Sequence, residues 1–349
     1  MIIAVQPDDY SLSTHRDKRD SSSEKWARYI ESQGHKVKWV NVYQADILEQ
    51  IKGCDGFMWR WAQIGDMRQI AHRLLPVLER ELGMLVFPDQ NTCWHYDDKV
   101  SQSYLFDALK IPYPKTWVWF DKMDAINWAK TAKYPLVLKL SLGASSRNVK
   151  LIKNFQEAKY YIEKLFFCGI EDITSDSQNK FYKWFKKVVA VTLNQKKISL
   201  EDVQHHYVLF QEFVPNNSFD TRVTVIGNRA FAYRRFNRKN DFRASGSGNF
   251  DTDPTKVDQR FVRLAFKISR LLRTQSLAVD CLWKDSRPII TEISYTFVNW
   301  MVRSCPGHWV LNGDPEIGNL EWKQGQTWPE EAQVMDFLKD LEKRQNDKV

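Results

Sequence analysis

Leu277-Ala-Val-Asp-Cys-Leu-Trp283 and, four residues on, Pro288-Ile-Ile-Thr-Glu-Ile-Ser-Tyr295 are two apolar runs, each interrupted by a single acid. Such runs between polar turn residues mark a strand pair. Side chains alternate faces along a strand. In the second run Ile289, Thr291 and Ile293 share one face, and Ile290, Glu292 and Ser294 the other. In the first, Asp280 falls opposite Leu277, Val279, Cys281 and Trp283. Alternation therefore predicts that Asp280 and Glu292 project to one side of adjacent strands. Isolated buried carboxylates are costly unless paired or bound to metal. Two readings stay open at this point. The acids, with the Ser294 hydroxyl, are oxygen ligands of the kind Mg²⁺ takes, or they are edge acids in solvent or paired with Arg.

Upstream, Val257–Arg273 carries Phe261, Leu264, Ala265, Ile268, Leu271 and Leu272 at helical spacing, which predicts an amphipathic helix. Arg222–Ile226 and Arg229–Phe236 flank Gly227-Asn228, a two-residue hairpin turn. Arg234-Arg235 and Asp241-Phe-Arg-Ala-Ser-Gly-Ser-Gly-Asn249 offer guanidiniums among small residues. They suit phosphate or carboxylate, or form a basic surface turn. His206–Val214 reads as a strand containing Gln211-Glu-Phe-Val214, with Asp220-Thr-Arg222 beyond it. Leu136-Val-Leu-Lys-Leu140 puts Lys139 inside an apolar strand, where it needs an anion or a route to solvent. The loop Gly143-Ala-Ser-Ser146 that follows has backbone N–H groups able to cradle phosphate. It is no P-loop, since G-x-x-x-x-G-K-[ST] is missing. His95-Tyr-Asp-Asp-Lys99 opens a helix, with Asp97 or Asp98 as its cap.

The first ninety residues alternate strand and helix: Ile2–Val5, Ser23–Ser32, His35–Val42, Gly53–Trp61, a long stripe from Ile70 to Leu82, and Met84–Phe87. That order predicts a parallel sheet with helices on both faces. Ligands sit at the carboxyl ends of such strands, here Trp59-Arg60-Trp61. At the other end, Thr327-Trp-Pro-Glu330 predicts a capping box that opens a terminal helix burying Val334, Phe337, Leu338 and Leu341.

With 349 residues the chain exceeds one core of ordinary size. Lys and Arg number 51 against 43 Asp and Glu, a net charge of +8, and there are 14 Trp. This balance suits phosphates, nucleic acid or sugars. No run approaches the roughly 18–20 apolar residues that span a bilayer, so no transmembrane segment is expected. Five scattered Cys without C-x-x-C argue against zinc and disulfides and fit a reducing, cytoplasmic location. The basic residues lie in many separate segments, with no RNP, KH or zinc-finger pattern, so no nucleic-acid partner is expected.

In order and spacing, these segments resemble the ATP-grasp superfamily of carboxylate–amine ligases over roughly 90–300, nearest to the glutamate-adding ligases of ribosomal protein tails and to glutathione synthetase. The resemblance implies an α/β and α+β chain: an N-terminal βαβ parallel-sheet domain at 1–98, then a two-subdomain ATP-grasp fold at 99–206 and 207–320, and a C-terminal helix at 321–349. An insertion is expected at about 166–206. It also implies ATP and Mg²⁺ as cofactors. Lys99, Lys139 and the loop Gly143, Ala144, Ser145 and Ser146 would hold phosphates. Gln211, Glu212, Phe213 and Val214 would read adenine, and Asp220 the ribose. Arg243 would face the reacting phosphate, with Lys139 beside it as a catalytic residue. Asp280, Glu292 and Ser294 would ligate metal. Ser294 stands where the family usually has Asn, which bears on whether one or two Mg²⁺ bind.

The segments Met58-Trp-Arg-Trp61, Trp94-His-Tyr-Asp-Asp-Lys99 and Phe242–Gly248 resemble those of proteins from bacterial surface-polysaccharide clusters. That implies an amide joining an amino acid or amine to a uronic acid, hence a small-molecule or glycan carboxylate and an amine as partners. Trp59, Trp61, Arg60, Arg222 and Arg303 are the substrate candidates, with Trp94, Trp300, Trp309 and His308 near predicted loop ends. A homodimer is left open. The alternatives are a non-catalytic ATP-binding regulator on the same fold and a nucleic-acid-binding protein.

Overall fold

β1 (Ile2–Val5), β2 (Lys36–Trp39), β3 (Gly56–Met58) and β4 (Leu85–Phe87) form a parallel sheet in the order β2-β1-β3-β4. Alternate side chains feed two cores. Ile3, Val5, Met58, Leu85 and Phe87 pack with Trp26 and Ile30 of the Ser22–Ser32 helix and with Val334, Phe337, Leu338 and Leu341 of the Pro329–Asn346 helix. Ala4, Phe57 and Val86 point the other way, onto Leu74, Leu75 and Leu78. Burial on both faces is what parallel strands require. The computed structural model describes residues 1–8, 21–143, 148–173, 203–239 and 241–347. It divides into two units: Met1–Tyr96 with Ser218–Val349, and Asp97–Asn217.

The terminal helix starts differently from expectation. Its N-cap is Trp328, whose side chain makes no capping bond, and Pro329 follows at the first helical position. Pro there has no N–H to satisfy. Glu330, the expected reciprocal cap, turns inward: it is fully buried, accepts from Asn299 Nδ2 at 2.7 Å and lies 3.6 Å from Lys25 Nζ.

The same unit contains a second sheet. β9 (Phe219–Ile226) and β10 (Arg229–Phe236) join through the expected Gly227-Asn228 turn, with Ile226 opposite Arg229. β11 (Phe250–Asp251), β12 (Ser276–Lys284), β13 (Arg287–Ser294), β14 (Gly307–Asn312) and β15 (Asn319–Gln324) complete it. The order is β13-β12-β9-β10-β14-β15, with β11 on β10. The Gln259–Leu272 helix buries Phe261, Val262, Ala265, Phe266 and Ile268 and packs on β9, β10, β12 and β13. Val223, Val225, Leu277, Val279 and Cys281 are fully buried. Arg222 and Asp280 alternate with them, on the opposite face.

Strict alternation fails at one place. Asp280 pairs with Glu292, but Cys281 pairs with Ile290, so Thr291 is the extra residue of a β-bulge. Ile290 therefore falls with Cys281 and Ile293 rather than with Glu292, correcting the expected face. The Thr291 hydroxyl donates to the Asp280 carbonyl at 3.4 Å.

In the Asp97–Asn217 unit, β5 (Thr116–Trp119), β6 (Leu136–Lys139), β7 (Val149–Ile152) and β8 (Val208–Glu212) form an antiparallel sheet, order β5-β8-β6-β7. The Lys122–Thr131 and Phe155–Phe167 helices bury Ala125, Ala129, Ala158, Ile162 and Leu165 with Leu138 and Phe210. β8, which begins just past the boundary expected at 206/207, pairs with β5 and β6. Most of the expected insertion, 174–202, lies outside the described residues. No helix among the described residues is long and apolar enough to cross a membrane.

Candidate active site

In the Asp97–Asn217 unit, Asp98 caps the Lys99–Ala108 helix by accepting from the Val100 and Ser101 N–H groups at 3.1 and 3.0 Å. Its neighbours turn to the loop after β6. Buried Lys99 holds its Nζ 3.3 Å from Asp97 Oδ1 and donates to the Gly143 carbonyl at 3.1 Å. Gly143 sits at φ +132°, and a Cβ there would lie 2.4 Å from Asn148 Nδ2, so only glycine fits. Lys139 ends β6, also buried. Lys99 and Gly143, distant in sequence, thus meet directly. Ala144, Ser145 and Ser146 lie outside the described residues. On β8, Gln211 Nε2 donates to Thr116 Oγ1 at 2.9 Å. The Glu212 carboxylate accepts from the Lys115 N–H at 3.3 Å, and Phe213 and Val214 continue half-buried past the strand.

The other unit concentrates charge on one sheet face. Asp220 on β9 lies opposite Arg235 on β10, Arg222 on β9 opposite Asp280 on β12, and Asp280 opposite Glu292 on β13. Arg222 grips Asp280 through Nε to Oδ1 at 2.6 Å and its terminal nitrogen to Oδ2 at 2.8 Å. Arg235 grips Asp220 in the same two-pronged way, at 2.7 and 2.6 Å, and also reaches Asp280 Oδ2 at 2.8 Å. Exposure is only 6% for Asp280 and 5% for Arg235. Burial alone would raise the Asp280 carboxyl; the Arg222 and Arg235 guanidiniums reverse this and hold it far below the ordinary range. Tyr233 lies opposite Arg222. Its buried hydroxyl, like that of Thr224, has no protein partner among the described residues.

Arg235 is the residue the motif spacing overlooks as a partner for acids. Its signal was present: counting back from the two-residue turn places it opposite Asp220. Asp220, expected to read ribose, pairs with Arg235, and Arg222, expected to meet substrate, pairs with Asp280.

Other candidates separate by burial. Trp59 and Trp61 are core residues, each about 1% exposed and packed with Phe57, Tyr96 and Tyr295. Trp309 is buried against Trp322, ring centroids 4.7 Å apart. Trp300 stays 48% exposed, its ring edge-on to Phe250, and Trp94 is exposed as well. Arg60 donates to the Phe297 carbonyl at 3.3 Å, and Arg303 to Gln326 Oε1 at 2.5 Å. Arg243 is chelated by Asp241, at 3.0 and 2.6 Å. His308 is half-buried against Phe231, and burial with Arg229 and Lys323 pushes its imidazole pKa down.

The donor set fits Mg²⁺ poorly as arranged. Asp280 accepts from two guanidiniums, and Ser294 Oγ donates to the Thr296 carbonyl at 2.8 Å. Among the described residues no group of three or more His, Cys, Asp or Glu is placed to hold a metal.

Residues 181–299 match the model of the RimK-like ATP-grasp domain. The chain is 26% identical over 232 residues to alpha-aminoadipate–LysW ligase LysX of Saccharolobus solfataricus, covering 65% of this chain and 72% of that protein. In fold it resembles D-alanine–D-alanine ligase from Bacillus anthracis complexed with ATP, with TM-score 0.55, 12% identity, and 100% and 99% of the two chains covered. It also resembles the macrocyclase MdnC of Microcystis aeruginosa, bound with precursor peptide MdnA, with TM-score 0.56, 13% identity, and 97% and 100% covered. The matched segment runs through the whole charged cluster, Asp220 to Glu292; in sequence the chain is similar to RimK-like ATP-grasp domains and to the ligase LysX, and it has the mixed α/β fold of the ligases it resembles.

Proposed function

We propose that this ATP-dependent ligase forms an amide through an acylphosphate. A carboxylate oxygen of one substrate forms a bond to the γ-phosphorus of ATP, the β–γ bridging P–O bond breaks, and ADP leaves. The amine nitrogen of the second substrate then attacks the acyl carbon, the C–O bond to phosphate breaks, and the nitrogen loses a proton. Lys99 and Lys139 neutralise the phosphates. Arg243 stabilises the transferred phosphoryl group after exchanging Asp241 for it. Phosphoryl transfer asks mainly for such positioning and charge compensation.

The observation that carries this reading is the face bearing Arg222, Arg235, Asp280 and Glu292, which lies entirely within the segment matched to the family. Paired guanidiniums suit a carboxylate or phosphate. The name of the relative LysX joins an amino acid, α-aminoadipate, to LysW, and MdnC was seen with a peptide, so an amino acid on one side of the bond accords with both. A uronic acid on the other side is supported by the polysaccharide-cluster segments and by the exposed rings of Trp300 and Trp94, no longer by Trp59 and Trp61. No step is assigned to Mg²⁺ while Asp280 is held by arginines.

The test is ADP release from the full chain against a panel of amino acids, amines and uronic acids, with products weighed by mass spectrometry. A product equal to acid plus amine minus water is the expected result. ATP binding without any such product across the panel would favour the regulator on the same fold.

A further inference from the structure

The backbone just after β6 has two sides. The Ser141 and Gly143 carbonyls turn to Lys99, whose Nζ lies 3.5 and 3.1 Å from them. Leu142 turns the other way, and Gln204 meets it with both ends of its side-chain amide. Oε1 accepts from the Leu142 N–H at 2.8 Å, and Nε2 donates to the Leu142 carbonyl at 3.1 Å. The side chain thus exchanges two bonds with one residue, as a paired strand does. Tyr207 closes the arrangement: its hydroxyl accepts from the Ser141 N–H at 2.7 Å and donates to Gln204 Oε1 at 2.6 Å. Burial pushes this phenol's pKa up, so it keeps the proton it donates. Asn148 Nδ2 gives the Leu142 carbonyl a second donor at 2.6 Å. Gln204 is itself tied down, its backbone N–H and carbonyl bonded to Ile170 at 3.0 and 2.9 Å. Ser141, Gln204 and Tyr207 are each more than nine-tenths buried, where leaving a polar group unpaired is costly.

The two sides are rigidly coupled. In a planar trans peptide the N–H and C=O point opposite ways. The Ser141–Leu142 peptide therefore faces Gln204 with its N–H and Lys99 with its carbonyl. The Leu142–Gly143 peptide faces Gln204 with its carbonyl and, with its N–H, Asp97, the acid beside Lys99 Nζ. Resting on the reading of Lys99 as a phosphate ligand, we infer that Gln204 and Tyr207 are positioning residues for nucleotide binding: they fix the two peptides that seat the Lys99 ammonium. Gln suits the task because its amide offers one acceptor and one donor group. A Glu there would set an oxygen against the Leu142 carbonyl. Lys is a long, flexible point charge, and a seat that aims it before nucleotide arrives lowers the ordering cost of binding.

ATP affinity of the full chain, read by calorimetry, tests this through a double-mutant cycle. Lys99→Met is expected to weaken it roughly tenfold or more, as for one charge-assisted hydrogen bond. Tyr207→Phe and Gln204→Glu are each expected to weaken it roughly three- to tenfold, the range for one lost neutral hydrogen bond. Combined with Lys99→Met, neither is expected to weaken it further, since the ammonium they aim is gone. A merely structural role would lower affinity by the same factor in both backgrounds. Wild-type affinity in Tyr207→Phe, or losses that multiply with that of Lys99→Met, overturns the positioning role. Should Gln204→Glu not fold, Tyr207→Phe, which keeps the ring, decides alone. Unchanged affinity in Lys99→Met removes Lys99 from the phosphate site and the positioning role with it. A substrate panel that yields no product while the coupling persists removes the ligase reading and leaves the positioning role standing.

Discussion

Trp59 and Trp300 carry the same indole into opposite circumstances. Trp59 is fully buried in the core under the parallel sheet, while Trp300 is half in solvent. Trp59→Ala is expected to cost about 3–5 kcal/mol, by lost burial and the cavity left behind. Trp300→Ala is expected to cost less than about 1 kcal/mol. Urea unfolding of both variants checks the contrast, and equal losses would contradict it. Lys139 is a different kind of residue, an ammonium at the end of a buried strand. Lys139→Ala should weaken nucleotide affinity about 10- to 100-fold by calorimetry, as expected for one charge-assisted contact. An unchanged affinity would remove it from the phosphate site. Composition flagged an excess of indoles but could not sort them, because burial depends on which loop a strand runs into.

Among the elements, the short Gln90–Cys93 helix exposes a cost of capping. Asp89 accepts from the Thr92 N–H at 2.8 Å. Burial lifts its carboxyl to about 6, with the nearby Glu79 adding to the rise. The folded state therefore holds this proton more tightly than the unfolded chain. Stability from this group is fullest below the ordinary carboxyl value near pH ~4 and declines as pH rises to about 6, by on the order of 2–3 kcal/mol. Asp89→Asn keeps the capping oxygen and removes the titration. It should be more stable than wild type at pH 7 and lack the decline, read by melts at several pH values. Strand, helix and hairpin patterns were legible in the sequence because periodicity and turn residues are local. The Gly227-Asn228 turn even set the register that pairs Arg235 with Asp220. The Thr291 bulge was not, since the extra residue leaves the run apolar and is fixed only by its partner strand. Likewise Lys99 and Asp280 were found as motif residues, but their partners, Gly143 and the two arginines, are set by tertiary packing.

For the molecule as a whole, the Met1–Tyr96 and Ser218–Val349 segments share one unit because the last helix covers the first sheet. Phe337 sits so close over β3 that a Cβ on Gly56 would lie 2.8 Å from its ring. Gly56→Ala is therefore expected to destabilise by about 1–3 kcal/mol, the usual range for overpacking, and Gly56→Ala with Phe337→Leu to recover part of it in denaturant titration. Val334, Phe337, Leu338 and Leu341 each bury about 1.5–3 kcal/mol worth of apolar surface. Together that rivals the total stability of a typical domain, about 5–15 kcal/mol. The sheet made from the first ninety residues is therefore left half-clothed until residues beyond 329 arrive. A ribosome adding roughly 5–20 residues per second reaches them some ten to fifty seconds after β4 has been made. During that interval Ile3, Val5 and Phe87 have only the Ser22–Ser32 helix as native cover, and the share of that face owed to the last helix stays open. How long that face waits is thus set by the distance in sequence between the sheet and its second helix, not by the strength of the finished core.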